Sequence, residues 1–322
     1  MKMNAKQKNN SKPVLLLSYN NADAENILMD AVNKSERVET RCTLKSHGIL
    51  LRGIRRFMLD RGMPGAEIWL GDWRKRIQEY EVIVLTAARY TPGILHWIHK
   101  KYPQVRLINY YWDKVEISGY PIKESKEFEN WSFDREDCRR YGFRYNPQYY
   151  SKHLRLPRGN EKYDVSFVGA DREGTWPERA DVVNKTYKLL KEHGFYTFFY
   201  FVTDNSKVEK EIIHKNRLSE KEFLKVTGSS KAVVDLVQPG KEWMTLRPFL
   251  ALANGRKLIT NYTGIQQYGF YDRNNIFILG MDTMERLKEF METPFSVGKD
   301  GELKKYEVDV WAERFLEYGC KE

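Results

Sequence analysis

The chain has 322 residues, enough for two lobes of about 150 residues that each bury a core without disulfides or structural metal. With 41% hydrophobic and 30% charged residues the composition is that of a folded chain, and no apolar run approaches the roughly 20 residues that cross a bilayer. The net charge of +10 suits an anionic partner, whether a nucleotide diphosphate, a membrane surface or nucleic acid, and does not choose among them.

Met1 to Lys12 is polar and basic with no apolar segment behind it, which predicts a frayed tail rather than a secretory signal. Val14 to Ser18 (VLLLS) predicts a buried strand, and Asp23 to Asn33 a helix. Leu50 to Arg61 (LRGIRRFMLDR) follows as a basic amphipathic helix. Leu51, Ile54, Phe57 and Met58 fall on one side, Arg52, Arg55 and Arg56 on the other. Such a helix packs its apolar side on its own lobe and leaves a solvated basic face, or lies on anionic lipid. Val82 to Thr86 and Val105 to Asn109 are the next strands, with a helix between them opening at Thr91-Pro92. His96 and His99 stand three apart on that helix, with no carboxylate or cysteine nearby to complete a metal site. A short strand near Trp131 precedes a helix capped by Asp134. Ser151 to Lys162, polar and basic with Pro157 and Gly159, reads as the linker.

The alternation repeats in the second half. Strands are predicted at Tyr163–Val168, Tyr196–Phe201, Ala232–Val237, Lys257–Thr260 and Asn275–Leu279. Helices are predicted at Pro177–His193, Ser219–Val226 (with a capping box from Ser219 and Glu222), Trp243–Ala253 and Thr283–Glu292. A closing helix runs from Val308 to about Tyr318. Cys42, Cys138 and Cys320 lack ligand or redox spacing, which fits a reducing compartment, and the expected location is the cytoplasm.

Short apolar strands alternating with helices indicate parallel sheets covered on both faces, and ligands of such sheets sit beyond the carboxyl ends of the strands. Gly169-Ala170-Asp171-Arg172 follows one strand and leads to a helix, as a phosphate-binding turn would, but neither G-x-G-x-x-G nor a Walker sequence is present. Gln238 to Arg247 (QPGKEWMTLR) follows the strand AVVDLV and enters another helix. Two uses fit Arg247: gripping a diphosphate, or pairing with Glu242 or another neighbouring carboxylate to finish the helix end.

Beyond these residues, VSFVGADREG and the stretch from SSKAVVDLV through MTLRPFLALANGRKLITNYTG to FYDRNNIFIL resemble a family of bacterial lipopolysaccharide and capsular polysaccharide biosynthesis glycosyltransferases. This family is of the GT-B type and similar to spore-maturation glycosyltransferases. Tyr110–Asp113 (YYWD) and Ser132–Phe143 are also similar to it. The resemblance implies two Rossmann-like doubly wound α/β lobes facing a cleft. Residues 1–155 form the acceptor-side lobe, 156–305 the nucleotide-sugar lobe, and 306–322 a closing helix that packs back toward the first. It implies no tightly bound cofactor, no metal and a nucleotide diphosphate sugar as donor substrate. The acceptor it implies is a glycan or a lipid-linked molecule; the basic amphipathic helix would suit peripheral contact at the inner face of an anionic membrane, and with no recognisable nucleic-acid module no nucleic acid is expected.

Carried over by position, Thr245 and Arg247 contact the diphosphate, Gly169 admits it to the backbone with Arg172 beside it, and Asn261 and Gly264 line the sugar end. Many members carry a glutamate shortly after the arginine, where this chain has Arg247-Pro248-Phe249-Leu250. That departure favours an alternative, a catalytically silent module that binds sugar nucleotide or glycan during polysaccharide assembly. For an inverting transfer the first lobe offers Asp113, Asp23 and His47 as general base. Among these Asp113 is preferred because it stands just past the strand VRLIN in the family-like YYWD, although capping the turn before Lys114 is the use that its position favours.

Overall fold

Among the described residues, two sheets of six parallel strands organise the fold. The structure, a computed structural model, describes residues 12–18, 26–45, 51–118, 125–157, 159–171, 176–238, 244–298 and 300–317. It divides into one unit of Met1–His153 with Tyr306–Glu322 and a second of Leu154–Lys305.

The first unit runs β1 (Val14–Ser18), α1 (Ile27–Val32), β2 (Val38–Cys42), α2 (Arg52–Asp60), β3 (Val82–Thr86), α3 (Thr91–Lys101), β4 (Arg106–Tyr111), α4 (Val115–Ser118), β5 (Glu129–Ser132), α5 (Arg135–Tyr141) and β6 (Arg144–Tyr145). Its strand order is β2-β1-β3-β4-β5-β6. Three 3-10 turns, Ala66–Trp69, Asp72–Lys75 and Ile77–Glu79, lie between α2 and β3. Leu15, Leu17, Ile83, Leu85 and Leu107 from the central strands meet Ile94, Leu95 and Ile98 of α3 in the core. Asp134 caps α5, accepting from the Asp137 amide at 2.8 Å.

The second unit runs β7 (Tyr163–Ala170), α6 (Arg179–Glu192), β8 (Thr197–Val202), β9 (Ile213–His214), α7 (Glu220–Gly228), β10 (Ser230–Asp235), α8 (Leu246–Ala253), β11 (Lys257–Thr260), β12 (Ile276–Ile278), α9 (Met284–Glu292) and α10 (Asp300–Lys304), in the order β12-β11-β10-β7-β8-β9. Val165 and Phe167 of β7, Phe199 and Phe201 of β8 and Val183, Tyr187 and Leu190 of α6 share its core. The capping box of α7 forms, with Ser219 and Glu222 each closing on the other's backbone amide.

The last helix, α11 (Val308–Glu317), belongs to the first unit. Trp311 and Phe315 are fully buried among aromatic rings of that unit. Trp311 meets Tyr110 edge-on at 5.4 Å and Tyr149 at 4.6 Å, while Phe315 meets Trp131 at 4.9 Å. Asp309 at its start accepts from the Arg37 amide at 3.2 Å and pairs with Lys152 at 3.1 Å.

Several boundaries move, and three strands were not predicted. The strand β2 reads VETRC, with charged residues at alternate positions. Glu39 is nevertheless buried, because Arg41 and Arg76 bond its carboxylate at 2.8 and 3.1 Å. The two-residue strands β6 and β9 are too short to leave a hydrophobic pattern. The polar segment read as the linker is anchored within the second unit from Leu154 onward. Asn254 accepts from the Leu156 amide and donates to the Leu154 carbonyl, and a side chain at Gly228 would strike the Pro157 carbonyl at 2.6 Å.

Lys257, at the start of β11, is buried with its ammonium on the Phe290 carbonyl and over the Phe290 ring. Burial, reinforced by the charge of Arg286, lowers its pKa to about 8 from an ordinary 10.5. Between those values the unfolded chain holds the proton that the folded chain has released. Stability at this site therefore rises with pH across the window of about 8 to 10.5. Lys257→Met is expected to raise the melting temperature at pH 7 by roughly 2–4 °C for each kcal/mol recovered. That advantage should shrink as pH approaches 10.5, which paired thermal melts of the two proteins check.

Candidate functional site

In a doubly wound sheet the strand order reverses at one place, and there the loops leaving two neighbouring strands part to opposite faces. In the second unit this place lies between β7 and β10. The chain continues from β7 to β8 on one side, while β10 continues to β11 on the other. The residues singled out in the sequence gather around these two carboxyl ends.

Arg247 spans them. Its guanidinium donates to the Asp235 carboxylate at the end of β10 at 2.5 Å and to the Val168 carbonyl on β7 at 2.9 Å, and it sits 5.8 Å from the Phe167 ring centre. Asp235 is 1% exposed and Arg247 20%, so this is a buried ion pair closed on one side by the sheet. The helix-finishing use weighed for Arg247 is therefore realised, with Asp235 as the carboxylate. Its Nε is buried with no partner among the described residues. Thr245 caps α8, accepting weakly from the Arg247 amide at 3.4 Å and donating to Asp235 at 3.0 Å. The helix thus begins at Leu246, later than Trp243, which lies outside the described residues. Pro248 has no N–H, and Thr245 occupies the Arg247 amide, so the first turn offers a phosphate fewer donors than the sequence suggested.

Asn261 follows β11 and holds the Val237 backbone with both ends of its amide, accepting from the N–H and donating to the carbonyl at 2.8 Å each. The resemblance places it against a sugar; here it ties the ends of β10 and β11 together. Gly264 lies under the Tyr262 ring, where a Cβ would stand 2.5 Å from the phenolic oxygen. Gly169 is part of β7 rather than the loop after it, because pairing with β8 continues through Ala170. A Cβ at Gly169 would meet the Phe167 ring at 2.7 Å and the Arg179 guanidinium at 3.4 Å. Its missing side chain makes room for those two groups. Arg179, the first residue of α6, was not singled out in the sequence, although a cation opening the helix after a strand–glycine turn was the available signal. Asp235 was legible only as a letter of the family-like SKAVVD. Arg172 lies outside the described residues, as do the rest of its loop and 239–243.

In the first unit Asp113 is exposed, two residues past β4. The turn-capping role open to it is filled by Asp137, which accepts from the Val115 amide at 2.9 Å. Burial pushes the Asp137 carboxyl above its ordinary pKa. Asp23 and His47 lie outside the described residues. His96 does have a carboxylate: Glu127, distant in sequence, bonds its Nδ1 at 2.8 Å, a pairing no local spacing reveals. Elsewhere in this unit a cavity of about 450 Å³ flanks the edge strand β2, lined by Glu39, Arg41, Lys45, Asp72, Trp73 and Arg76.

No family model matches the chain, and no curated protein is significantly similar to it. Solved structures do match. Sucrose-phosphate synthase from Thermosynechococcus elongatus superposes with a TM-score of 0.52 at 8% identity, over 96% of this chain and 98% of that one. Anabaena HepE, solved in complex with UDP and glucose, superposes with 0.51 at 10% identity over 97% of this chain and all of its own. TarM gives 0.51 at 12% identity over 76% of this chain, which spans 56% of TarM. The likeness establishes the fold: a two-lobed α/β protein of the GT-B class, with a doubly wound parallel sheet in each lobe.

Proposed function

We propose that the protein is a glycosyltransferase that moves a sugar from a nucleotide diphosphate sugar to a glycan or lipid-linked acceptor in the assembly of bacterial surface polysaccharide. The observation that carries this reading is the frame at the switch point of the second unit. The carboxyl ends of β7 and β10, the start of α8 and two arginines, Arg247 and Arg179, converge where sheets of this kind bind ligands. HepE, which shares the fold, was solved with UDP and glucose, and a nucleoside diphosphate is the ligand this frame suits.

In this reading the donor diphosphate lies beyond Gly169 and Thr245, with Arg179 at the frame as one cation for it and Arg172, outside the described residues, proposed as a second. Arg247 and Asn261 are positioning residues that hold the strand ends, and the backbone around Gly264 borders the sugar. The leaving diphosphate is neutralised by these arginines and the N-terminus of α8 rather than by a metal ion. Asp113, exposed and free of the capping role, is the general base in an inverting transfer. It takes the proton of the acceptor hydroxyl as that oxygen forms its bond to the anomeric carbon and the nucleoside diphosphate departs. A transferase working this way acts on the cytoplasmic side of the membrane, where nucleotide sugars are made.

A second reading is the silent binding module, favoured by Leu250. It is buried in α8 at 8% exposure, near where many members of the family that the sequence resembles carry a glutamate. Steady-state transfer from UDP-sugars to a glycan acceptor separates the two. The transferase reading expects turnover that Asp113→Asn reduces by about 10²–10⁴ while donor affinity is kept. Donor binding without turnover in the parent protein supports the silent module.

A further inference from the structure

The amphipathic helix α2 is turned the opposite way from a helix that buries its apolar side. Met58 and Leu59 face inward, Met58 receiving the Trp69 indole N–H at 3.3 Å. Ile54 and Phe57 face outward, at 54% and 49% exposure, with Leu51 at 41%. Met63 and Ile68, just beyond the helix, are exposed as well, and the turn Ala66–Trp69 packs against α2. Five of the eight large exposed hydrophobic residues among those described therefore come from one stretch, 51–68. A basic rim surrounds them. Arg61 stacks over the Phe57 ring at 4.0 Å, and Arg56 and Arg89 lie exposed on either side of Asp60, whose carboxylate they neutralise at 3.7 and 3.4 Å. From residue 51 to 68 four arginines stand against two carboxylates, and Arg89 adds a fifth cation, so the patch carries a positive surplus.

We infer that this face docks the protein onto an anionic lipid surface, with Ile54, Phe57 and Leu51 entering the headgroup–acyl boundary and Arg56, Arg61 and Arg89 meeting lipid phosphates. Apolar side chains ringed by arginine match both layers of such a surface, the hydrocarbon edge and the negative headgroups. A protein partner requires no such pairing of exposed aliphatic residues with single-sign charge. Among the described residues no helix is long and apolar enough to cross a membrane, so attachment here is peripheral. The inference stands apart from the proposed donor site, since no residue of α2 belongs to it.

Co-sedimentation of the full chain with phosphatidylcholine vesicles, with and without phosphatidylglycerol, tests it. Binding is expected to be about tenfold or more tighter on the anionic vesicles and to weaken with salt. Ile54→Glu with Phe57→Glu should reduce it by at least about tenfold, and Arg56→Gln with Arg61→Gln should remove most of the anionic preference. All four positions are surface sites, so melting temperature and UDP-sugar affinity are expected to stay at parental values, which keeps this result separate from that of the transferase proposal. Absence of binding to anionic vesicles, or equal binding to neutral ones, overturns the inference. So does lipid-independent self-association that Ile54→Glu with Phe57→Glu abolishes, because the face would then belong to a second copy.

Discussion

Replacing Trp311 by alanine is expected to destabilise the first unit by about 3–5 kcal/mol, the range for emptying a buried indole site. The side chain is fully buried and sits among Tyr110, Tyr149 and Phe315, so little can collapse into the space it leaves. Two polar links depend on the same helix: the Asn146 amide donates to the Trp311 carbonyl at 3.0 Å, and Arg106 donates to the Phe315 carbonyl. Hydrogen exchange gives the readout. In Trp311→Ala, protection should fall across β4, β5 and residues 144–150 while β7 and β10 keep theirs. Equal loss in both units would show that α11 stabilises the whole chain rather than the sheet on which it lies.

Arg247→Ala is expected to lower the stability of the second unit by a similar amount, about 3–5 kcal/mol, because Asp235 is left charged, buried and without its counter-ion. Arg247→Lys should recover only part of this, since a point charge that reaches Asp235 does not also bond the Val168 carbonyl. Replacing the pair by apolar residues, Asp235→Leu with Arg247→Met, should lie closer to the parent than either single change. Urea unfolding of the four proteins gives these differences. Asp235→Asn adds a functional test. If Arg247 acts by holding the strand ends, loosening its partner weakens UDP-sugar binding. If the guanidinium itself grips the diphosphate, freeing it preserves or strengthens binding.

The central strands were legible because parallel, fully covered strands are apolar runs with nothing to confuse them, as in VLLLS and VIVLT. Of the edge strands only β12 carries such a run, IFI. In β2, Glu39 and Arg41 look solvent-bound until Arg76, far along the chain, is brought to the same carboxylate. Helix starts were legible where the cap is local, as at Asp134 and Ser219. The start of α8 was placed too early because Thr245 is extended and bonds Asp235 across the sheet. The residues of the candidate site were found as letters, but the partners that hold them in the fold were not. Arg247 could be read as a diphosphate contact or as half of an ion pair, and Asn261 was placed at the sugar only by the family resemblance. Their partners, the Val237 backbone and Asp235, are set by strand register that local spacing does not encode. The outward turn of Ile54 and Phe57 was hidden for the same reason: the period of α2 shows two faces, and only the packing of Met58 and Leu59 decides which is inside.

The claim on which the account rests is that the switch point of the second unit binds a nucleoside diphosphate. Titrating the full chain with UDP and UDP-glucose, with EDTA present, while following backbone hydrogen exchange, tests it most directly. Saturable binding without metal is expected, with new protection confined to the ends of β7 and β10, the start of α8 and residues 261–265. No binding at millimolar UDP, a strict requirement for Mg²⁺ or Mn²⁺, or protection confined to the cavity beside β2 in the first unit would contradict it.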